Sequence, residues 1–228
     1  MPSPEPLSRR AAYCDVDGTL AATTIVTPLV WYKKRLLSPP LGKLWPLTLA
    51  LRGPWWLLLD RFNRSASNRA IYSCYRGLPA DAVKARAKEC FQAVIEPWLF
   101  PKALAYLEAL RADGCRVVLV TGSLDFLMRP LAEKLRAELI SPSLEERDGR
   151  FTGKLKGEPL AGAAKAVAIR AHSQTQGIDL AQSQALGDAW GDLPMLEAAG
   201  HPVAVNPDAR LSRLAAQRGW KVENWRKN

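Results

Sequence analysis

Asp15 and Asp17, in the run Asp15-Val16-Asp17-Gly18-Thr19, stand two residues apart where a short apolar run ends. At that spacing one carboxylate can attack phosphorus while the other handles the proton of the leaving group. Gly18 lets the backbone turn sharply just after the pair. A phosphate dianion is repelled by two carboxylates, so a cation has to intervene, and Mg²⁺ prefers oxygen ligands. Asp188 and Asp192, in Gly187-Asp188-Ala189-Trp190-Gly191-Asp192, supply further carboxylates. Thr121 can hydrogen-bond a phosphoryl oxygen, and Gly122 and Ser123 are expected to open a helix whose free N–H groups favour an anion. Lys165 offsets charge on nucleophile and phosphate. Taken singly, turn aspartates, a helix cap and a solvated lysine account for each feature. Together and in this order they describe a phosphate site.

Such a set needs a scaffold that gathers strand ends. Ala11–Val16 reads as a buried strand stopping at an acid and a glycine, and Cys115–Val120 as a β-branched strand running into Thr121. Helical spacing precedes that strand (Ala103, Leu104, Leu107, Leu110) and follows it (Leu124, Leu127, Met128, Leu131, Leu135). Asp148-Gly149 marks a hairpin. Gly162–His172 reads as a helix, Ala185–Gly187 as a strand ending in Asp188, Leu193–Ala199 as a helix, Pro202–Val205 as a strand and Leu211–Gln217 as the last helix. Short apolar strands alternating with amphipathic helices imply an α/β sandwich around a parallel sheet, whose ligand crevice lies at the carboxyl ends of the strands. Residues 22–96 break that rhythm with leucine- and tryptophan-rich helical patterning, and read as a mostly helical insertion.

This ordered set resembles the haloacid dehalogenase superfamily. Asp15-Val16-Asp17-Gly18-Thr19 matches its first motif, Thr121 its second, Lys165 its third, and Gly187-Asp188-x-x-x-Asp192 its fourth. The position of the insertion, the run Asp188-Ala189-Trp190-Gly191-Asp192-Leu193-Pro194-Met195-Leu196 and the hairpin at Gly149-Arg150-Phe151-Thr152-Gly153 resemble the phosphoserine-phosphatase-like subclass with a helical cap. The resemblance implies a Rossmann-like core of residues 11–21 plus 97–228, a cap of residues 22–96 and a tail of residues 1–10. It implies an Mg²⁺-dependent phosphatase in which Asp15 becomes an aspartyl-phosphate and Asp17 serves as acid and base. Thr121, Gly122 and Lys165 would hold the phosphoryl group. The metal would rest on Asp15, the Asp17 backbone carbonyl and Asp188, with Asp192 in support. An acid at position 17 argues against dehalogenase chemistry, where a halide leaves without a proton, and against the ATPase branch. Phosphoserine phosphatases carry serine where Gly18 stands, and Ser-Gly-Gly where this chain has Thr121-Gly122-Ser123.

The substrate is less legible. The chain of 228 residues carries a formal charge of +10. Residues 18–80 hold nine basic side chains against the single acid Asp60, a net +8. This charge calls for an anionic partner: a phosphorylated small molecule or a lipid phosphate at an anionic membrane surface. Trp31, Tyr32, Trp45, Trp55 and Trp56 either form the core of the insertion or meet lipid. Pro46, Arg52, Gly53 and Pro54 interrupt the apolar stretch Leu41–Leu59, which leaves no uncharged run near the ~20 residues of a membrane span. No nucleic-acid motif accompanies the basic residues, which disfavours that partner. Cys14, Cys74, Cys90 and Cys115 stand singly, which disfavours zinc and a disulfide framework. His172 and His201 are the only histidines and are expected to be structural or solvated. Without an apolar leader, a cytoplasmic location, with peripheral membrane contact open, is the expectation.

Overall fold

The structure is a computed structural model that describes residues 9–226, the side chains at positions 60 and 61 excepted. The tail expected over residues 1–10 lies outside the described residues up to residue 8.

In chain order the elements are β1 (Ala11–Cys14), α1 (Val26–Leu36), α2 (Pro39–Leu44), α3 (Thr48–Phe62), α4 (Arg64–Ser73), α5 (Ala80–Ala85), α6 (Ala87–Val94) and α7 (Pro101–Ala112). Next come β2 (Arg116–Val120), α8 (Asp125–Leu135), β3 (Glu138–Ile140), the hairpin β4 (Leu144–Arg147) and β5 (Arg150–Leu155), and α9 (Ala163–Gln176). The chain closes with β6 (Gln184–Gly187), α10 (Leu193–Glu197), β7 (His201–Val205), α11 (Ala209–Arg218) and β8 (Lys221–Glu223). Local chemistry sets several boundaries. Pro101 sits in the first turn of α7, where its missing N–H costs nothing. The Asn63 side chain caps α4 by accepting from Ala66 N–H, and Asp208 caps α11 through Arg210 and Leu211 N–H.

Six strands form one parallel sheet in the order β3-β2-β1-β6-β7-β8. Parallel strands are covered on both faces, and here the alternation is visible residue by residue. Ala12, Cys14, Val117 and Leu119 point into one apolar cluster, and Ala11, Tyr13, Val118 and Val120 into the other. The strand order reverses beside β1, so the carboxyl ends of β1, β2 and β6 surround one crevice.

Helices α1–α6 are inserted between β1 and α7. The chain leaves and re-enters along paired segments, with Ala22 N–H donating to Trp98 carbonyl and Phe100 N–H to Leu20 carbonyl. The β4–β5 hairpin pairs with the far end of the insertion through Gly77 N–H to Phe151 carbonyl and Phe151 N–H to Leu78 carbonyl. Among the described residues, no helix is long and apolar enough to cross a membrane. All four cysteines are buried and free.

One expectation needs correction, and two features went beyond the sequence reading. Gly122 and Ser123 do not open a helix: Leu124 stays extended, its side chain buried in the core, and α8 begins only at Asp125. The edge strands β3 and β8 escape sequence reading because each has three residues with no long apolar run. The stretch Leu41–Leu59, which the sequence leaves open between core and interface, is divided: Trp56 is enclosed, while Leu51 and Trp55 face solvent.

Candidate active site

Strand β1 ends with Cys14, and the next residue, Asp15, is already only 5% exposed, with its N–H donated to Leu186 carbonyl on β6. That bond ties the nucleophile candidate to two strands at once. The Lys165 ammonium, on the first turn of α9, donates to Asp15 Oδ1 at 2.5 Å and to Asp192 Oδ1 at 2.7 Å. Thr19 donates its hydroxyl to the other Asp15 oxygen at 3.0 Å and lies 3.4 Å from Asp188 Oδ1. Asp15, Asp188 and Asp192 each bring a carboxylate oxygen into one group whose members lie within 4.8 Å.

Two glycines make this crowding possible. A Cβ at Gly18, whose φ is +90°, would sit 2.2 Å from Asp188 Oδ2. A Cβ at Gly187 would sit 2.6 Å from that of Asp192. Any side chain at either place pushes a carboxylate out of the cluster.

Asp17 stands outside the group formed by Asp15, Asp188 and Asp192. Its two side-chain oxygens accept from Thr23 hydroxyl at 2.8 Å and Ser123 hydroxyl at 2.7 Å, which fix its rotamer beside the cavity. Thr121 is fully buried at the end of β2, and its hydroxyl oxygen accepts from Ser123 N–H at 3.0 Å. It does not line the cavity, whereas Gly122 does. Tyr72 on α4 donates to the Gly122 carbonyl and so pins that loop to the insertion.

Three carboxylates face one ammonium, and the electrostatics record the imbalance. Burial pushes Asp15 up to about 6, against the pull of Lys165. Burial, then the charges of Asp15 and Asp192, pushes Asp188 up to about 7. Burial draws the Lys165 ammonium down, but Asp15 and Asp192 outweigh it and leave its pKa raised. A donor set made only of carboxylate oxygens with surplus negative charge suits a hard divalent cation, and Mg²⁺ fits it.

These groups floor a cavity of about 580 Å³ between the strand ends and the insertion. Its walls are Ile25, Val26, Leu49, Trp56 and Ile71, with Arg64 and Asn68 among the polar groups.

A family model described as haloacid dehalogenase-like hydrolase matches residues 12–197, most of the chain. The chain belongs to that family of hydrolases. A Streptomyces azureus relative, "Inhibition of morphological differentiation protein", is 30% identical over 222 residues, 95% of this hydrolase and 78% of that protein. "Phosphoserine phosphatase SerB1" of Mycobacterium tuberculosis is 31% identical over 163 residues, 71% of this hydrolase and 53% of that protein, so the match spans about half of SerB1. Among solved structures, a protein of unknown function from Bordetella pertussis Tohama I superposes with a TM-score of 0.80 at 26% identity, covering 95% of this hydrolase and 98% of that chain.

Sequence reasoning passed over several residues of the hydrolase's site. Thr19 and Ser123 stand inside motifs already singled out, and their hydroxyls complete the hold on Asp15 and Asp17. Asn206 comes directly after β7, the position at which β1 and β6 carry Asp15 and Asp188, and its amide donates to Gly18 carbonyl at 3.2 Å. Only that strand-end position could have pointed to it. The inward-facing residues of α4 left no signal. The two histidines take no part: Tyr13 hydroxyl and Glu138 flank His172, and His201 is exposed.

Proposed function

We propose that this chain is an Mg²⁺-dependent phosphatase that hydrolyses a phosphomonoester through an aspartyl-phosphate on Asp15. The observation that carries the reading is the buried Lys165 ammonium bridging Asp15 and Asp192, with Asp188 completing a carboxylate group on the same cavity floor. The phosphatase names of relatives such as SerB1 agree with it. Asp15, the Asp17 backbone carbonyl and Asp188 would hold the cation, with Asp192 in support. Once bound, it neutralises charge on the phosphate and the carboxylates.

The reaction itself runs through the chain's own residues. A carboxylate oxygen of Asp15 attacks phosphorus, and the bond to the leaving oxygen breaks with its electron pair on that oxygen. Asp17, oriented by Thr23 and Ser123, gives up its proton there, releasing an alcohol. Asp17 then takes a proton from water, whose oxygen attacks the same phosphorus and expels the Asp15 carboxylate, leaving inorganic phosphate. Lys165 and the Gly122 N–H hold the transferring group, and Thr121, behind the cavity wall, braces the Gly122 loop by accepting from Ser123 N–H. On this reading residues 22–96 act as a cap over the core of residues 11–21 and 97–228, and the protein works in the cytoplasm.

The test is phosphate release with Mg²⁺ from a panel of phosphoserine, sugar phosphates, nucleotides and lipid phosphates, with Asp15→Asn as control. Release that needs Mg²⁺ and is lost in Asp15→Asn is expected. Turnover that survives in Asp15→Asn, or no turnover of any substrate, overturns the reading.

A further inference from the structure

The helix that walls the cavity is apolar on more than one side. Leu49, Gly53, Trp56 and Leu57 of α3 line the cavity. Leu51, Trp55, Leu58 and Phe62, at helical spacing on another face, are between 49% and 84% exposed. Of the eleven large hydrophobic residues that stand exposed among the described residues, eight fall between Leu41 and Phe62. A helix apolar on more than one face belongs in a core or in lipid, and α3, whose charged residues are Arg52, Asp60 and Arg61, has a core on one side only. Soluble monomers ordinarily leave such large side chains exposed only singly or in small patches.

Charge says what covers it. Residues 22–59 contain Lys33, Lys34, Arg35, Lys43 and Arg52 and no acid. Lys34 and Lys43 are exposed on α1 and α2 beside the band. Basic side chains around exposed leucine and tryptophan are the composition that rests in the interface of an anionic bilayer. Band and cavity are also continuous, because Leu57 is exposed and lines the cavity at once.

The cavity's own chemistry points the same way. Its acids are Asp15, Asp17, Asp188 and Asp192, all at the phosphate end. Among the described side chains that line it from the insertion, there is no carboxylate to receive an amino acid's ammonium group. Beyond the phosphate, a leaving group meets Ile25, Val26, Leu49, Trp56 and Ile71.

We propose that the substrate is a lipid phosphomonoester, taken from an anionic membrane surface on which the exposed band of α2 and α3 rests. The inference builds on the phosphatase reading above. The phosphate reaches Asp15 and Lys165, and the acyl chain runs past Leu57 toward the bilayer.

The test combines flotation with turnover, using the triple variant Leu51→Ser, Trp55→Ser, Leu58→Ser, whose residues lie outside the cavity lining. At low salt the wild-type protein co-floats with phosphatidylcholine vesicles containing phosphatidylglycerol and not with phosphatidylcholine alone. The variant loses that binding, and its phosphate release from lysophosphatidate in those vesicles falls by about tenfold or more. Its hydrolysis of a short, soluble phosphomonoester stays at the wild-type rate, which shows that it is folded and competent. Failure of the wild type to co-float overturns the proposal. So does concentration-dependent dimerisation that the variant abolishes in place of vesicle binding, or co-flotation without turnover of the lipid where a soluble phosphomonoester is hydrolysed. If no phosphomonoester of any kind is hydrolysed, the Asp15 chemistry fails, while flotation still reports on the band.

Discussion

At Gly18 the backbone turns through a φ of +90° with the Asp188 carboxylate pressed against it, 2.2 Å from where a Cβ would be. Gly18→Ala therefore meets a left-handed strain of about 1–2 kcal/mol and a clash with a carboxylate of the cluster. We expect turnover to fall by about a hundredfold or more, together with loss of the Mg²⁺-dependent rise in melting temperature. A variant that keeps that rise would show that Asp188 can retreat without cost. The same carboxylates set a pH dependence. Asp15 and Asp188 are held near about 6 and about 7, above the ordinary 3.8 of an aspartate. A carboxyl raised in the folded state binds its proton more tightly there than in the unfolded chain. Its stabilising contribution is complete below the unfolded value and is lost as pH rises through the folded one. Metal-free protein should thus lose melting temperature as pH climbs from about 4 to about 7, added Mg²⁺ should cancel much of that loss, and Asp188→Asn should flatten it. A metal-free profile that instead rises through this window would refute the charge imbalance. The motif acids were legible in sequence because their spacing carries chemistry. Asn68 and Arg64 were not, since their place in the cavity depends on which way α4 faces.

Among the elements, the β4–β5 hairpin has a larger part than its length suggests. It extends from the core, yet its Phe151 shares two backbone hydrogen bonds with Gly77 and Leu78 of the insertion. The Phe151 ring stacks on Phe126 of α8 at 5.7 Å between centroids. The hairpin thereby holds the insertion at a second point, separate from its paired exit segments. Phe151→Ala should cost about 3 kcal/mol of burial and stacking and lower the melting temperature by about 6–12 °C. It should also raise KM more than it lowers kcat, because Asp15 and Lys165 rest on β1 and α9, which the hairpin does not support. A fall in kcat alone would contradict this division. Asp148-Gly149 announced the hairpin from sequence, since both residues adopt positive φ in its turn. Its clasp could not be read there, because pairing between β5 and residues 77–80 is set by tertiary packing. Strands β1, β2, β6 and β7 were legible as apolar runs, whereas β3 and β8 owe their conformation to neighbours in the sheet.

For the molecule as a whole, the question is whether insertion and core behave as one body when stressed. Charge and composition spoke of a distinct basic, tryptophan-rich segment. Packing joins it to the rest, since one apolar cluster contains Leu29, Tyr32 and Tyr72 of the insertion along with Val117, Leu119 and Leu131 of the core. Tyr75 sits at the junction. Its ring meets Tyr32 of α1 at 6.3 Å, Phe126 of α8 at 6.2 Å and Phe151 of β5 at 6.4 Å. Its hydroxyl is buried with no hydrogen-bond partner among the described residues, an uncompensated cost of folding. The ring and the hydroxyl therefore pull in opposite directions, and two variants separate them. Tyr75→Phe keeps the ring contacts and should hold stability or raise it by up to about 1 kcal/mol. Tyr75→Ala removes the shared ring and should cost about 3–5 kcal/mol. Because the ring belongs to both parts, that loss should shift one common unfolding transition, followed identically by far-ultraviolet and near-ultraviolet circular dichroism. Two separated transitions in the wild type, or a Tyr75→Ala loss confined to one of them, would mean that the cluster does not couple insertion to core. A Tyr75→Phe loss as large as the alanine's would mean that the hydroxyl has a partner after all.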